Sequence, residues 1–482
     1  MNQKNNEQLT EPIAKKPPYG NPLVSHKFGA DPYALVYNDR VYLYATNDEF
    51  EYDEEGNITE NKYGNINTLT VISSADLVNW TDHGVIKVAG PNGAAKWAVN
   101  SWAPAIAHKV IDGKDKFFIY FANNGSNIGV VTSDSPLGPW VDPINKPIIS
   151  RDLPGVQGVP WLFDPAVLVD DDGTGYLYFG GGVPEGEFEM PNTARSMQLG
   201  DDMISVVGEA KPIPAPFMFE SGGINKRDGL YYYSYCSNFF TGERPEGAPA
   251  AGEIAYLISE NPMGPWTYQK SFLKNPGHFF DVSGNNHHAM FKFKDTWYIA
   301  YHAQTVSAAM GVSNGYRSTH LNEVIFGENG VIEDIKADMQ GVKKVKDFNP
   351  YETVSAVTMA WQAGINVKEL ENTDASQPNL VLTDIENGDW IGIASADFSD
   401  GASEVIVKVA SDANDGSIEV RIDSLDGDII STIDVPNTGG LDNWDHVSAS
   451  VSEIEGVHDI YFVFRGVNDQ TLFQLASWSF KK

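Results

Sequence analysis

Short apolar runs separated by turn residues fill this chain, and an aromatic-rich run recurs through its first two thirds. The copies lie at residues 41–45, 117–121, 176–179, 230–234 and 297–301. Runs of this length bounded by Gly, Pro, Asn and Asp predict β-strands. Corresponding strands recur at intervals of about 55 to 75 residues, a period typical of propeller blades. The pattern therefore predicts an all-β protein with a five-bladed β-propeller over residues 21–345.

A second feature of the repeat is a tryptophan turn. After three of the aromatic strands comes another apolar run that closes on a turn ending in tryptophan, at Trp80, Trp140 and Trp266. Two of these turns read Gly-Pro-Trp. A strand followed by the same turn in several copies supports a repeated blade.

The C-terminal part of the chain has a different texture. Short alternating runs at residues 404–410, 417–422 and 459–464 are separated by turns such as Asp426-Gly427. Alternation over about 130 residues predicts a β-sandwich of jelly-roll type over residues 350–482. Residues 1–20 are polar and predict a disordered leader.

Three carboxylates stand at the heads of apolar strands. Asp31, Asp164 and Glu220 each precede an aromatic strand by about ten residues, which in a propeller is the innermost strand beside the central channel. Burial there raises a carboxyl pKa. An Asp before Pro is also a common turn residue or N-cap. The repeated context in register with the blades favours one acidic pocket.

Composition narrows the function classes. The formal net charge of −32 argues against nucleic acid or an anionic membrane surface as partner and favours a neutral substrate. One cysteine, Cys236, excludes an intramolecular disulfide framework. The first residues lack an apolar signal region and no run is long enough to span a membrane. The expected location is cytoplasmic, or secreted if an export signal has been removed.

Several segments resemble glycoside hydrolase family 43, most closely its arabinoxylan arabinofuranohydrolase branch. They are residues 101–104, 161–165, 217–220, 284–288 and 315–318, together with the Gly-Pro-Trp turns. The C-terminal region resembles a family 6 carbohydrate-binding module through residues 388–390, 416–424 and 456–461.

The resemblance implies an inverting glycoside hydrolase without an organic cofactor. Asp31 is then the general base that activates water, Glu220 is the general acid, and Asp164 raises the pKa of Glu220. The implied reaction releases α-L-arabinofuranosyl side chains from arabinoxylan or arabinoxylo-oligosaccharides. A β-xylosidase or bifunctional enzyme is the nearest alternative, and endo-arabinanase is another. A non-catalytic propeller lectin would not need three aligned carboxylates.

Aromatic side chains are expected to stack on sugar faces. Trp102, Trp161 and Phe239 are the candidates, with core packing between blades as the alternative for the tryptophans. Arg317 is expected to donate to sugar hydroxyls, with a surface ion pair as the alternative.

The resemblance also implies a metal site and raises a question about the sandwich. Calcium on the propeller axis would have His287 as its only protein ligand, with water around it, and His288 would face the substrate. Calcium prefers oxygen ligands, which argues against that site. In the sandwich, Leu441 and Ile393 stand where sugar-stacking aromatics are common in the resembling family. A structural module is therefore the alternative to a sugar binder.

Overall fold

The computed structural model describes residues 8–312, 314–370 and 379–482, and the regular secondary structure of these residues is almost entirely β-strand. Within them the helices are α1 (Gly277–Phe280), α2 (Thr305–Met310) and a 3₁₀ turn, Glu328–Gly330. Among the helices described, none has both the length and the apolar character needed to cross a membrane. The predicted all-β class is confirmed.

Five antiparallel sheets follow one another along residues 30–324, each with its strands in chain order. The first contains β1 (Ala30–Tyr37), β2 (Arg40–Thr46), β3 (Thr68–Ser74) and β4 (Trp80–Lys87). The second contains β5 (Trp102–Ile111), β6 (Lys114–Asn123) and β7 (Asn127–Ser133). The third contains β8 (Ala166–Val169), β9 (Gly175–Phe179), β10 (Ala194–Leu199) and β11 (Val206–Ile213).

The remaining two sheets have the same build. The fourth contains β12 (Met218–Arg227), β13 (Leu230–Ser237), β14 (Ile254–Ser259) and β15 (Thr267–Leu273). The fifth contains β16 (His288–Phe293), β17 (Thr296–Ala303) and β18 (Ser318–Val324). Every predicted aromatic run is the second strand of its sheet, because β2, β6, β9, β13 and β17 contain them.

The tight turns between first and second strands follow from local sequence. Asp112-Gly113 joins β5 to β6 and Asp228-Gly229 joins β12 to β13, and all four residues have positive φ. Two consecutive left-handed residues suit the twist of a two-residue hairpin, and Asp-Gly adopts them at little steric cost. The turns thus fix the register of each inner strand against its aromatic neighbour.

Tyrosines of the aromatic strands explain why these strands and the tryptophan turns recur together. Tyr44 in the first sheet donates its hydroxyl proton to the carbonyl of Pro136, which lies in the tryptophan turn of the second sheet. Tyr178 in the third sheet donates in the same way to Pro262 in the turn of the fourth. In each case the turn tryptophan packs edge-on against the tyrosine ring, at centroid distances of 6.4 and 6.3 Å. We call these contacts the tyrosine latches.

The C-terminal sandwich is confirmed as two sheets around an apolar core. One has the order β22-β23-β30-β25-β28, with β19 beside β30, and the other has the order β21-β24-β29-β26-β27. A short strand, β20, pairs with β4. These strands are β19 (Val354–Ser355), β20 (Thr358–Met359), β21 (Trp361–Ala363), β22 (Asn366–Glu369), β23 (Leu380–Thr383), β24 (Trp390–Asp397), β25 (Glu404–Ser411), β26 (Gly416–Ile422), β27 (Ile429–Val435), β28 (Gly440–Ser450), β29 (Val457–Arg465) and β30 (Gln474–Lys481).

The chain divides into two compact units. The first combines the N-terminal residues up to Lys27 with Ile72–Gly84 and Val342–Lys482, and the second contains Phe28–Val71 and Val85–Gly341. The division therefore falls inside β3 and β4 rather than between whole sheets.

Residues of the predicted leader take part in the first unit. The indole N–H of Trp390 donates to the Thr10 carbonyl at 2.9 Å, and that of Trp361 donates to the Tyr19 carbonyl at 2.9 Å. Thr10 Oγ1 donates to Asp389 at 2.6 Å. Residues 8–20 therefore satisfy buried donors of the sandwich, whereas residues 1–7 lie outside the described residues.

A tyrosine latch can be tested by removing one oxygen. We expect Tyr178→Phe to lower the free energy of unfolding by about 1 kcal/mol, because the Pro262 carbonyl loses its partner in a largely buried setting. Urea unfolding followed by tryptophan fluorescence measures this change. Tyr52→Phe, at an exposed tyrosine, is the matched control and should unfold like the parent. Equal stability of both variants would contradict the latch.

Candidate active site

Left-handed backbone at the strand heads aims the three carboxylates. Asp31 in β1, Asp164 just before β8, and Ser221, which follows Glu220 in β12, have φ of 51°, 49° and 60°. Register shifts interrupt the pairing of β1 and of β12 with their neighbours at these points. Each such residue costs on the order of 1–3 kcal/mol and breaks the in–out alternation of a strand. This strained backbone turns the three side chains toward one pocket.

The Asp31 carboxylate is held from several sides. Its Oδ1 accepts from Arg317 Nη1 at 3.0 Å, and its Oδ2 accepts from Thr46 Oγ1 at 2.7 Å. The Asp31 backbone N–H donates to His302 Nδ1 at 3.0 Å. Asp31 is buried, and these partners compensate for the water that its ionised carboxylate loses on burial.

Arg317 is itself fixed by a second carboxylate. Asp48 accepts from Arg317 Nε at 2.9 Å, from Nη2 at 2.8 Å and from the backbone N–H at 3.0 Å. The guanidinium also lies over the Tyr63 ring, 4.6 Å from its centroid. This bidentate grip orients Nη1 toward Asp31 and leaves little freedom for a sugar contact. Arg317 is a buried ion-pair residue, whereas a surface pair was the alternative expected from sequence.

Asp164 and Glu220 meet through the backbone of β12. Asp164 Oδ2 accepts the Ser221 N–H at 2.7 Å, so it lies next to the residue that follows Glu220. The Asn286 backbone N–H donates to the Glu220 carboxyl, whose Oε1 is buried and has no hydrogen-bond partner among the described residues. An unpaired buried oxygen is costly for an ionised carboxylate and tolerable for a protonated one.

The surroundings in the pocket shift the pKa values of its carboxyls in opposite directions. Burial alone would raise the pKa of Asp31, but the Arg317 charge holds it below its usual range. Burial, then the charge of Asp31, raises the pKa of Asp164 to about 7. Burial, then the charges of Asp164 and Asp31, raises the pKa of Glu220 well above its usual value. One ionised and one protonated carboxyl therefore coexist, the arrangement that acid–base chemistry needs.

His287 faces the carboxylates rather than a separate metal cage. Its Nδ1 lies 3.4 Å from Asp31 Oδ1 and 3.7 Å from Asp164 Oδ2, and burial lowers its pKa to about 4. Among the described residues no group of three or more His, Cys, Asp and Glu side chains is placed to hold a metal. Calcium takes six to eight oxygen ligands, so these residues do not fit a calcium site built from the protein. Calcium on His287 with water stays a prediction.

His288, expected to face the substrate, is fully buried. Its Nδ1 lies 3.0 Å from Ser221 Oγ and its Nε2 lies 2.6 Å from Ser234 Oγ. Burial lowers its pKa to about 3. Both ring nitrogens are therefore occupied by protein groups.

The aromatic candidates differ in exposure. Trp161 and Phe239 are both 44% exposed, and Phe219 links them, with ring centroids 5.7 Å from Trp161 and 5.9 Å from Phe239. The Trp102 indole is half-buried and donates to the Tyr63 carbonyl at 2.9 Å. Trp161, Phe219 and Phe239 form an arc of partly exposed rings, and Phe219 directly precedes Glu220 in the chain. Such an arc beside the pocket suits an extended substrate.

Several functional residues escaped the sequence reasoning, notably Thr46, Asp48, Tyr63 and His302. A signal for two of them was present, since Thr46 and His302 end or nearly end the aromatic strands β2 and β17. The end of a second strand lies beside the head of the first in a hairpin, as Ala30 opposite Thr46 shows. Polar residues closing the aromatic runs therefore mark the pocket edge.

The sandwich has a cleft of its own. A volume of about 960 Å³ is bordered mostly by polar side chains, together with Val367, Ala413 and Leu441, which lies at the start of β28. Ile393 is fully buried in the apolar core, so its side chain cannot serve as a sugar platform. Sugar binding by this unit stays a prediction.

Comparison with known proteins shows the families of both parts of the chain. The family model of glycosyl hydrolases family 43 matches residues 19–332, and that of the family 6 carbohydrate binding module matches residues 355–482. An arabinoxylan arabinofuranohydrolase of Paenibacillus polymyxa is 50% identical over 99% of this chain and 76% of its own length. One of Bacillus subtilis (strain 168) is 51% identical over 97% of this chain and 93% of its own length.

A solved structure is similar throughout. The crystal structure of a family 43 arabinoxylan arabinofuranohydrolase from Bacillus subtilis, in complex with cellotetraose, has a TM-score of 0.94 to this chain. The two are 51% identical, and the match covers 99% of this chain and 100% of that one.

The coupling between Asp164 and Glu220 can be measured directly. Asp164→Asn removes a negative charge that favours the neutral form of Glu220, so Glu220 should ionise at lower pH. Its pKa should stay above the usual value because burial persists. Difference infrared spectroscopy of the protonated carboxyl band across a pH series reads this out, with Asp172→Asn in an exposed turn as control. An unmoved or upward-shifted titration would refute the coupling.

Proposed function

Because this chain belongs to glycosyl hydrolases family 43, we propose that it releases α-L-arabinofuranosyl side chains from arabinoxylan or arabinoxylo-oligosaccharides with inversion. The chain is a glycoside hydrolase. The observation that supports acid–base catalysis is the geometry of one buried pocket, in which Arg317 Nη1 donates to Asp31 Oδ1 at 3.0 Å and Asp164 contacts the residue that follows Glu220. The named activities of the two relatives at 50% and 51% identity support the substrate.

Each carboxyl has one task in a single displacement. The ionised Asp31 accepts a proton from water as that water attacks the anomeric carbon, and Glu220 protonates the departing glycosidic oxygen on the other side of the sugar. Arg317 keeps Asp31 ionised, and Thr46 fixes the rotamer through Oδ2. A carboxylate oxygen has two lone pairs, so Asp31 keeps a lone pair that is not used by Arg317 or Thr46 and can accept the proton from water.

Asp164 acts through Glu220. Its charge disfavours ionisation of Glu220, and its hydrogen bond to the Ser221 N–H fixes the backbone on which Glu220 stands. Since Glu220 must be protonated before each turnover, a neighbouring carboxylate supports reprotonation at neutral pH.

The aromatic arc of Trp161, Phe219 and Phe239 would receive the xylan chain. Half-exposed rings offer flat apolar faces that pack against sugar C–H groups. Their ring centroids lie 5.7 and 5.9 Å apart, so the three rings form one contiguous apolar cluster, with interplanar angles of 53° and 84° that turn their faces in different directions. We assign Trp102, whose indole is tied to Tyr63 beside Arg317, to the wall of the arabinose pocket.

The five meander sheets are proposed to be the blades of a five-bladed β-propeller. Supporting this, the first strands β1, β5, β8, β12 and β16 each contact the next, and β16 also contacts β1. The carboxylates stand at the heads of β1, β8 and β12, and in a propeller such strand heads surround one axis. A propeller accounts for a pocket formed by residues so distant in sequence.

Leaving-group dependence separates the acid from the base. Glu220→Gln should lower kcat on arabinoxylan by roughly 10²–10⁴-fold, because the proton donor is lost. An aryl arabinofuranoside with an acidic phenol needs little protonation and should lose far less. Arabinose and xylose release are measured by chromatography, with circular dichroism as the fold control. Near-parental arabinose release from arabinoxylan would refute the assignment of Glu220.

The stereochemical course tests Asp31. Water activation is needed whatever the leaving group, so Asp31→Asn should lower kcat on both substrates by a similar factor, on the order of 10²-fold or more. For the parent enzyme, proton NMR during the first minutes should show the β-anomer of arabinose from an α-linked substrate. If the α-anomer appears first, the enzyme retains configuration and Asp31 is not the base of an inverting reaction.

A further inference from the structure

A buried histidine stands directly behind the catalytic turn of β12. His288 Nδ1 lies 3.0 Å from Ser221 Oγ, and the His288 backbone N–H donates to the same oxygen at 3.2 Å. On its other side Nε2 lies 2.6 Å from Ser234 Oγ in β13. One side chain thus joins the heads of β12 and β16 and the body of β13.

One neutral tautomer of His288 is consistent with all of these hydrogen bonds. Ser221 Oγ accepts the backbone N–H of His288, so its own proton is available to donate to Nδ1. An imidazole that accepts at Nδ1 is protonated at Nε2 when neutral, and that N–H donates to Ser234 Oγ. Every polar atom of this set then has a partner in a single neutral arrangement.

The surrounding backbone is shaped to admit this contact. A Cβ on Gly223 would lie 2.7 Å from Ser234 Oγ and 3.1 Å from His288 Nε2. The glycine therefore leaves the space in which the two side chains meet. A larger residue would force them apart.

Ser221 is where the network reaches the chemistry. Its φ of 60° is unfavourable for a residue with a Cβ and persists only when the surroundings enforce it. Its N–H donates to Asp164 Oδ2, and it follows Glu220 directly in the chain. Relaxation of Ser221 would move both the Asp164 contact and the direction of the Glu220 side chain.

We propose that His288 is a positioning residue, which holds Ser221 in its left-handed conformation and thereby aims Glu220 and Asp164 at the glycosidic bond. This inference rests on the proposed function for the roles of those two carboxyls. It replaces the expected substrate contact of His288, since the ring is fully buried and both nitrogens are bonded to serines.

Two substitutions separate the two ends of the imidazole. His288→Asn can place an amide oxygen near the Nδ1 position and keep the bond to Ser221, whereas His288→Gln reaches the Nε2 position and keeps only the bond to Ser234. We expect His288→Gln to lower kcat on arabinoxylan by on the order of 10- to 100-fold, since small misplacements of reacting groups cost this much. KM should change by less than about twofold, and His288→Asn should recover most of the lost kcat.

Controls distinguish positioning from general stability. His320→Gln alters another fully buried histidine bonded to Thr305 and Ser318, and it should lower Tm without lowering kcat per folded molecule. Ser221→Ala removes the other partner, and the double variant with His288→Gln should be no slower than the slower single variant. Such non-additivity is expected only if both act through one contact.

Unchanged kcat in folded His288→Gln, or a rise in KM alone, overturns the inference, and the KM result would restore a sugar contact. If His288→Gln fails to fold, Ser221→Ala decides, and unchanged kcat there also overturns it. Glu220→Gln in the same assay tests the proposed function separately. An active Glu220→Gln refutes that function, whereas an inactive one beside a fully active His288→Gln refutes only the positioning role.

Discussion

The buried pair of Arg317 and Asp48 is the interaction on which the pocket depends. Asp48 takes two of the guanidinium nitrogens and so directs the third toward Asp31. Without that positive charge, burial would push Asp31 toward the neutral form, as it does for Asp164 and Glu220. Breaking such a buried pair costs about 3–5 kcal/mol, because the charge left behind has no water to replace its partner. The division of labour among the carboxyls follows from this one placement.

That placement requires the first residues of the inner strands to be held in precise positions, and contacts within and between the sheets hold them there. Hairpin turns such as Asp112-Gly113 set the register within a sheet, and the tyrosine latches tie one sheet to the turn of the next. Left-handed residues at Asp31, Asp164 and Ser221 can persist because packing on both sides leaves the backbone no easier alternative. The functional strain is concentrated where the side chains must point together.

The net charge of the whole chain does not determine the protonation states of the carboxyls in the pocket. Of three buried carboxyls at the strand heads, the surroundings keep Asp31 ionised, raise the pKa of Asp164 to about 7 and raise that of Glu220 well above its usual value. Overall charge acts through screened, long-range fields, whereas the pocket is governed by contacts within about 4 Å in a desolvated setting. A net charge of −32 thus affects partners and solubility, whereas neighbouring groups set the pKa values in the site.

Sequence alone determined the β class, the aromatic second strands, the sandwich and the three carboxylates, because strand propensity, turn residues and an acid within an apolar run are local properties. Tertiary structure decided what each side chain meets. Arg317 proved to be held by Asp48, 269 residues away in the chain, and His288 proved to be bonded to two serines instead of a sugar. The partners that set the protonation of Asp31 come from different sheets, and no local pattern records which strand heads will share a pocket. A residue type predicts what chemistry is available, whereas burial and the neighbours that folding brings to it decide which protonation state and which role it takes.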